Sequence, residues 1–147
     1  MKKESYSGSI IIFYKKDLED VKYLIVENTK TGNITFVAGA QENDESLLET
    51  AIREVKEELN LDSNQYTLNP TDIYHNFIFE ENKKERAGAK GSYRVFLADA
   101  SNIKEIIPTK ELKIVWWKNK EGVLNSLSFS DLKDVFQQAL NENIIYN

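Results

Sequence analysis

The chain of 147 residues contains no cysteine, which excludes a disulfide framework and a thiolate zinc site. Proline and glycine are scarce, two and six residues, and neither a repeat nor a low-complexity tract is visible. No apolar run approaches the ~18 residues of a membrane span. Near the amino terminus the run Ile10 to Phe13 is too short for the apolar region of a signal peptide, so the cytoplasm is the expected compartment. The formal net charge is -5, which argues against bulk affinity for a nucleic-acid backbone. A polyphosphate remains compatible, met through a metal ion and a few local basic residues. Only one histidine is present, His75. No serine or cysteine nucleophile motif accompanies it, so it reads as a structural or surface residue.

What is present is enough for one domain. With 41% hydrophobic and 11% aromatic residues over 147, one sizeable core is expected and a second is not, giving a single domain over 1–147. The chemical information is concentrated between Gly39 and Leu61. Ser46 followed by Glu49 is a capping box, which predicts a helix from Leu47 with Asn60 as its left-handed stop. Leu47, Leu48, Ala51, Ile52, Val55 and Leu59 share one face of that helix and require an apolar partner. Glu54, Glu57 and Glu58 share a neighbouring arc, with Glu58 at the border of the buried face.

Like charges at i,i+3 and i,i+4 destabilise a helix. Two carboxylates about 6 Å apart repel by roughly 3 kcal/mol at an effective dielectric near 20. A hard divalent cation is the natural compensation, and Mg²⁺ suits a few carboxylates together with waters and substrate phosphates. Arg53, four residues from both Glu49 and Glu57, is placed to hold a carboxylate in a fixed orientation. A merely solvated, charge-rich helix face would have the same composition.

The spacing separates the two readings. Gly39, five residues, Glu45, seven residues, Arg53-Glu54, Val55, one residue, Glu57-Glu58, one residue, Asn60, Leu61 resembles the Nudix box, the signature of the Nudix hydrolases. Six fixed matches arise by chance at on the order of 10⁻⁸ per start position. The departure is Asn60 in place of the final glycine, and asparagine tolerates the left-handed conformation.

The resemblance implies hydrolysis of a diphosphate linkage in a nucleoside diphosphate joined to another group, with Mg²⁺ as cofactor and Mn²⁺ as a substitute. It implies Gly39, Glu54, Glu57 and Glu58 as metal ligands, with Glu54, or a glutamate from outside the helix, near the attacking water. Arg53 supports the catalytic acids Glu54 and Glu57. Glu111, ahead of the strand Ile114 to Trp117, inherits the role of extra ligand or base. The fold it implies is an α/β/α sandwich, an α+β arrangement with a mixed central sheet between the helices Leu47 to Leu59 and Phe129 to Glu142.

Around the box, strands are expected at Ser7 to Tyr14, Lys22 to Glu27, Ile34 to Val37, Ile73 to Glu80, Tyr93 to Ala98 and Ile114 to Trp117, with a polar connection over Asp62 to Thr71. Alternation puts Tyr93, Val95 and Leu97 on one sheet face and Arg94 and Phe96 on the other. Trp116 and Trp117 point to opposite faces, one of them into the core. The final helix is expected to be capped by Ser128 or Ser130, with Leu132, Val135, Phe136 and Leu140 as its buried stripe.

Four residues are substrate candidates, each with a structural alternative. Tyr93 stacks on a base or packs in the core. Phe129, in a Leu127-Ser128-Phe129 pattern similar to dinucleoside polyphosphate hydrolases, lies near a base or staples the helix. Arg86 and Lys90, with Lys83 and Lys84, approach phosphates from a lid over Glu81 to Gly91 or belong to a solvated loop. Nucleoside or dinucleoside polyphosphates are the favoured substrates. The Val37-Ala38 approach to Gly39, without proline or lysine, is similar to relatives that act on dihydroneopterin triphosphate and dATP. ADP-ribose is a further alternative, and a nucleotide-binding regulatory module is the non-enzymatic one. Oligomeric state is not legible.

Overall fold

The computed structural model describes residues 3–18, 20–107 and 114–142. In chain order the elements are β1 (Ser5–Asp17), β2 (Asp20–Glu27), β3 (Ile34–Thr35), β4 (Val37–Ala40), α1 (Leu47–Leu59), β5 (Thr67–Ile78), β6 (Lys90–Asp99), β7 (Ile114–Lys118), α2 (Lys120–Ser126) and α3 (Ser130–Asn141). Short 3-10 turns lie at Ser63–Gln65 and Glu81–Arg86. The sheet runs β3-β2-β1-β6-β5, with β4 also on β1 and β7 on β2. It is mixed, because β1 and β6 are parallel from Ser5↔Lys90 to Tyr14↔Asp99 while the other pairs are antiparallel.

Each face of the sheet has its own core, as period-two alternation requires. On one face Ile10, Ile12, Tyr93, Val95 and Leu97 pack under α2 and α3, which contribute Val123, Leu132, Val135, Phe136 and Leu140. On the other, Ile11, Phe13, Val37, Phe96 and Ala98 receive Ala51, Val55 and Leu59 of α1. Hence the helices flank the sheet in the expected sandwich.

Several elements differ from expectation. Ile34 to Val37 is two strands, not one: Val26↔Thr35 joins β3 to β2, and Ile11↔Val37 joins β4 to β1. The β1-β2 hairpin is paired only from Asp17↔Asp20 to Tyr14↔Tyr23, and the segment crossing at buried Phe36 fills the gap beyond. β5 begins at Thr67 within the expected polar connection, since Thr67 to Pro70 pair with Asp99 to Phe96 before an irregularity between Pro70 and Tyr74. Proline is tolerated there because β5 is an edge strand. Helix α2, capped by the Asn119 side chain accepting from Gly122 N–H, is too short to show helical periodicity. α3 has Phe129 at its cap position without a side-chain cap bond, because the Ser128 hydroxyl instead accepts the Ile34 N–H at 2.7 Å. Neither tryptophan is fully buried; Trp116 packs on the α3 side and Trp117 on the α1 side.

Candidate active site

Helix α1 is held at both ends by local chemistry. Glu49 N–H donates to Ser46 Oγ and Ser46 N–H to Glu49 Oε1, and Asn60 closes the helix at φ 56, ψ 36 with its N–H on Lys56 O. The left-handed stop that the family places on glycine is therefore adopted by Asn60. Thr50, Ala51, Val55 and Leu59 form the buried side. Leu48, expected on that side, is 45% exposed.

The docked helix lays Glu54 against β4. A Cβ built on Gly39 would stand 2.0 Å from Glu54 Cδ and Oε1, so any side chain at 39 would expel this carboxyl group. Gly39 is not among the positive-φ glycines. Close approach, not backbone freedom, is the reason for glycine here.

Arg53 joins the acids. Its Nη2 lies 2.7 Å from Glu45 Oε1 and donates to Ala40 O at 2.8 Å. Nε donates to Glu45 Oε2 at 3.1 Å, while Nη1 is 2.9 Å from Glu54 Oε1 and 3.3 Å from Glu57 Oε2. Glu45 Oε1 also accepts the Glu42 N–H and the Thr50 hydroxyl. Glu49, expected as an Arg53 partner, is occupied in the capping box, and Glu45 takes that place. Carboxylate repulsion on the arc is thus offset by Arg53.

The environments of these acids diverge. The Arg53 hydrogen bonds hold Glu45 down at about 2. Burial pushes Glu54 up to about 7, against the lowering effect of Arg53. Arg53 itself is driven further into its charged form by Glu45 and Glu54. Glu57 is half exposed, and Glu58 is partly buried with Oε2 shielded from solvent.

Gly39 and Glu58 also line one end of a cavity of about 530 Å³. Its floor is aromatic. Tyr93, buried and pushed up to about 12 by that burial, lies on Gly8, where a Cβ would meet its ring at 2.6 Å and Gly39 O at 2.5 Å. Phe77 and Phe79 pack edge-on to Tyr93, and Phe129 stands at the α3 wall. Lys83 and Arg86 line another wall, with the Arg86 guanidinium over the Tyr6 and Phe79 rings.

The structure brings together most of the residues singled out in the sequence. Gly39, Arg53, Glu54, Glu57 and Glu58 form one cluster, and Tyr93, Phe129 and Arg86 line the cavity that opens from it. Tyr93 packs in the core, as its structural reading has it, and also lines the cavity. Lys90 does not join them; it lines a separate hollow with Ser5, Asn76 and Ser92, because at the start of β6 it pairs with Ile78 and Ser5. Lys84, with φ 54, also points elsewhere. Glu111 lies outside the described residues. His75, read as structural or surface, is 11% exposed and lines the cavity, its Nε2 2.7 Å from Asp131 Oδ2. Its alternation with Ile73 and Phe77 was the available signal, together with its being the sole histidine.

The donor set suits a hard divalent cation. All candidate ligand atoms are oxygens: carboxylates of Glu54, Glu57 and Glu58 and the Gly39 carbonyl, which reaches the cavity side of β4. Among the described residues no three His, Cys, Asp or Glu side chains are already gathered around one point. Arg53 Nη1 stands between Glu54 and Glu57 and draws their oxygens toward itself. The chemistry fits, with Glu57 as the most exposed of the acids bound to Arg53 Nη1.

A family model, NUDIX domain, matches residues 8–136. The chain belongs to the NUDIX family, whose reaction class is pyrophosphohydrolysis of phosphoric anhydrides. Its fold is similar to the E. coli dihydroneopterin triphosphate pyrophosphohydrolase, with TM-score 0.78 and 18% identity over 92% of this chain and 95% of that one. It is also similar to a C. elegans Ap4A hydrolase, with TM-score 0.76 and 19% identity over 90% and 93%. The NUDIX domain of Shewanella oneidensis NrtR, solved with ADP ribose, gives TM-score 0.73 and 17% identity over 97% and 90%. No curated protein matches the sequence.

Proposed function

We propose that this chain is a Mg²⁺-dependent hydrolase of nucleoside or dinucleoside polyphosphates. The observation that carries the reading is the continuity of two sites at Gly39: an acid cluster on α1 and an aromatic cavity share this residue and Glu58. A ligand with a planar base and an anionic phosphate chain matches both in order, base on the Tyr93 side and phosphates toward the acids. The similarity in fold to an Ap4A hydrolase and a dihydroneopterin triphosphate pyrophosphohydrolase supports a substrate of that shape.

Glu57, Glu58, Glu54 and the Gly39 carbonyl would hold the ion. The chemistry such an ion supplies when bound is screening of phosphate charge and acidification of water at the site. Glu54 is suited to receive a proton, because burial places it near 7, close to a working pH. Arg53 fixes the direction of that carboxyl group through a 2.9 Å bond. In the step itself a P–O bond forms to the water oxygen, its proton passes to Glu54, and the bond from phosphorus to the bridging oxygen breaks. Lys83 and Arg86 compensate phosphate charge at the cavity wall.

The test is a release screen with Mg²⁺ over NTPs, dinucleoside tetraphosphates, dihydroneopterin triphosphate and ADP-ribose, with products separated by chromatography. Polyphosphate cleavage with both phosphate products recovered is expected. Turnover of ADP-ribose alone would overturn the substrate assignment and leave the acid cluster intact. Tight nucleotide binding with no release in Mg²⁺ or Mn²⁺ would overturn the enzymatic reading.

A further inference from the structure

His75 and Asp131 line the same cavity as Gly39 and Glu58 and have no part in the reaction above. Asp131 stands in the first turn of α3, with Oδ1 accepting its neighbour's N–H, from Leu132, at 3.0 Å. Its Oδ2 is 2.7 Å from His75 Nε2. The imidazole is stacked on Phe77, ring centroids 4.7 Å apart and planes 23° apart, so the ring is clamped in plane as well as in direction. Both residues line the cavity beside the aromatic floor.

This geometry fixes a tautomer. A carboxylate offers only acceptors, so Nε2 must carry the imidazole proton, and in a singly protonated ring Nδ1 is left as an acceptor. Nδ1 makes no hydrogen bond among the described residues. With the second carboxylate oxygen already engaged by Leu132 N–H, this pair contributes acceptors and no donor to the cavity lining.

We propose that the His75–Asp131 pair sets base preference, selecting planar heterocycles that carry an exocyclic amine over oxo analogues at the same position. The proposal rests on the reading of the cavity as a base site. It makes His75 a specificity-determining residue and Asp131 the positioning residue that holds its tautomer.

The Leu132 N–H gives the proposal a sharp test. In Asp131→Asn the amide oxygen remains on that N–H, so the amide nitrogen faces Nε2 as a donor. The imidazole proton then moves to Nδ1, and an acceptor becomes a donor. The experiment compares kcat/KM for ATP against ITP, and for diadenosine against diinosine tetraphosphate, at one mildly alkaline pH. Wild type should favour the amino base by about tenfold, the worth of one such hydrogen bond. Asp131→Asn should reverse the preference toward the oxo base. His75→Phe, which keeps the stack on Phe77, should bring the ratio close to one with melting temperature retained.

An unchanged ratio in both variants, with activity present, would overturn the proposal. So would an equal fall on both bases, because a strap that only ties α3 to β5 has no means of reading an amine. Absence of any turnover in wild type, with all four nucleotides and with the other substrates of the screen, would instead count against the enzymatic reading. In that case the same ratios are read from calorimetric Kd values for ATP and ITP, and equal affinities in wild type overturn the proposal.

Discussion

The two ends of the site are built on opposite physical terms. At the α1 end, charge is concentrated and held apart by one guanidinium that touches Glu45, Glu54 and Glu57. At the cavity end, aromatic rings rest on glycine, Tyr93 on Gly8 and Phe77 on Gly91. At the acid end Glu57 is half exposed. The aromatic end is packed ring against ring, with Phe77 and Phe79 edge-on to Tyr93. Gly39 is the hinge between these regimes, with its Cα against Glu54 and its carbonyl near Gly8.

The comparison breaks most severely at Glu57. Glu57→Gln removes a charge without changing volume, and turnover should fall by about 100-fold or more. Being half exposed in the free protein, the residue should leave the melting temperature nearly unchanged, as calorimetry would show.

Arg53→Ala comes next. It leaves Glu45 at 17% and Glu54 at 13% side-chain exposure without their cation, and should cost about 2–3 kcal/mol in urea denaturation. Glu45→Gln should cost less, because the amide still accepts from Arg53. A smaller loss for Arg53→Ala than for Glu45→Gln would contradict the network's hierarchy.

Two carboxylates in this cluster also respond to pH with opposite signs. Glu45 is held at about 2, below its ordinary 4.5, so it contributes stability above 4.5 that is lost as pH falls toward 2. Glu54 is raised from 4.5 to about 7, so its contribution is complete below 4.5 and disappears as pH rises through 7. In metal-free protein, Glu54→Gln should therefore raise the melting temperature above pH 7 relative to wild type and lose that advantage near 4.5. A parallel shift at all pH values would show that Glu54 is not the buried acid described.

The smallest contrast lies among the basic residues. Arg86→Ala should raise KM for a polyphosphate several-fold, since Arg86 lines the cavity. Lys90→Ala should leave KM unchanged, since Lys90 lines a different hollow. Steady-state kinetics on the two variants separates them.

These outcomes also mark how far the sequence could be read. The acid cluster was legible because helical spacing alone decides which side chains share an arc, and the Nudix spacing of Gly39 through Glu58 adds the partner strand. The sandwich is what the family resemblance implies, and alternation assigns residues such as Tyr93 and Phe96 to its two faces. Contacts between distant segments were not legible. Nothing local tells that Arg53 reaches Glu45 in preference to Glu49, since that depends on the path of residues 41–46 back over the helix. The split at Phe36 and the early start of β5 are decided by strand partners that lie far off in the chain. The pairing of His75 with Asp131 is illegible for the same reason, since the two are 56 positions apart. Lys90 was grouped with Arg86 because they are close in sequence, but the turn between them sends them to different surfaces.

The most direct test of the central claim is calorimetric titration of Mn²⁺ into wild type and Glu57→Gln at a pH above 7. Glu54 is ionised there, and Arg53 must yield Glu57 to the ion. The account predicts saturable binding in wild type that weakens at least about tenfold in the variant, with the fold unchanged by circular dichroism. Equal Mn²⁺ affinity in the two proteins would contradict the assignment of the α1 glutamates as the metal site.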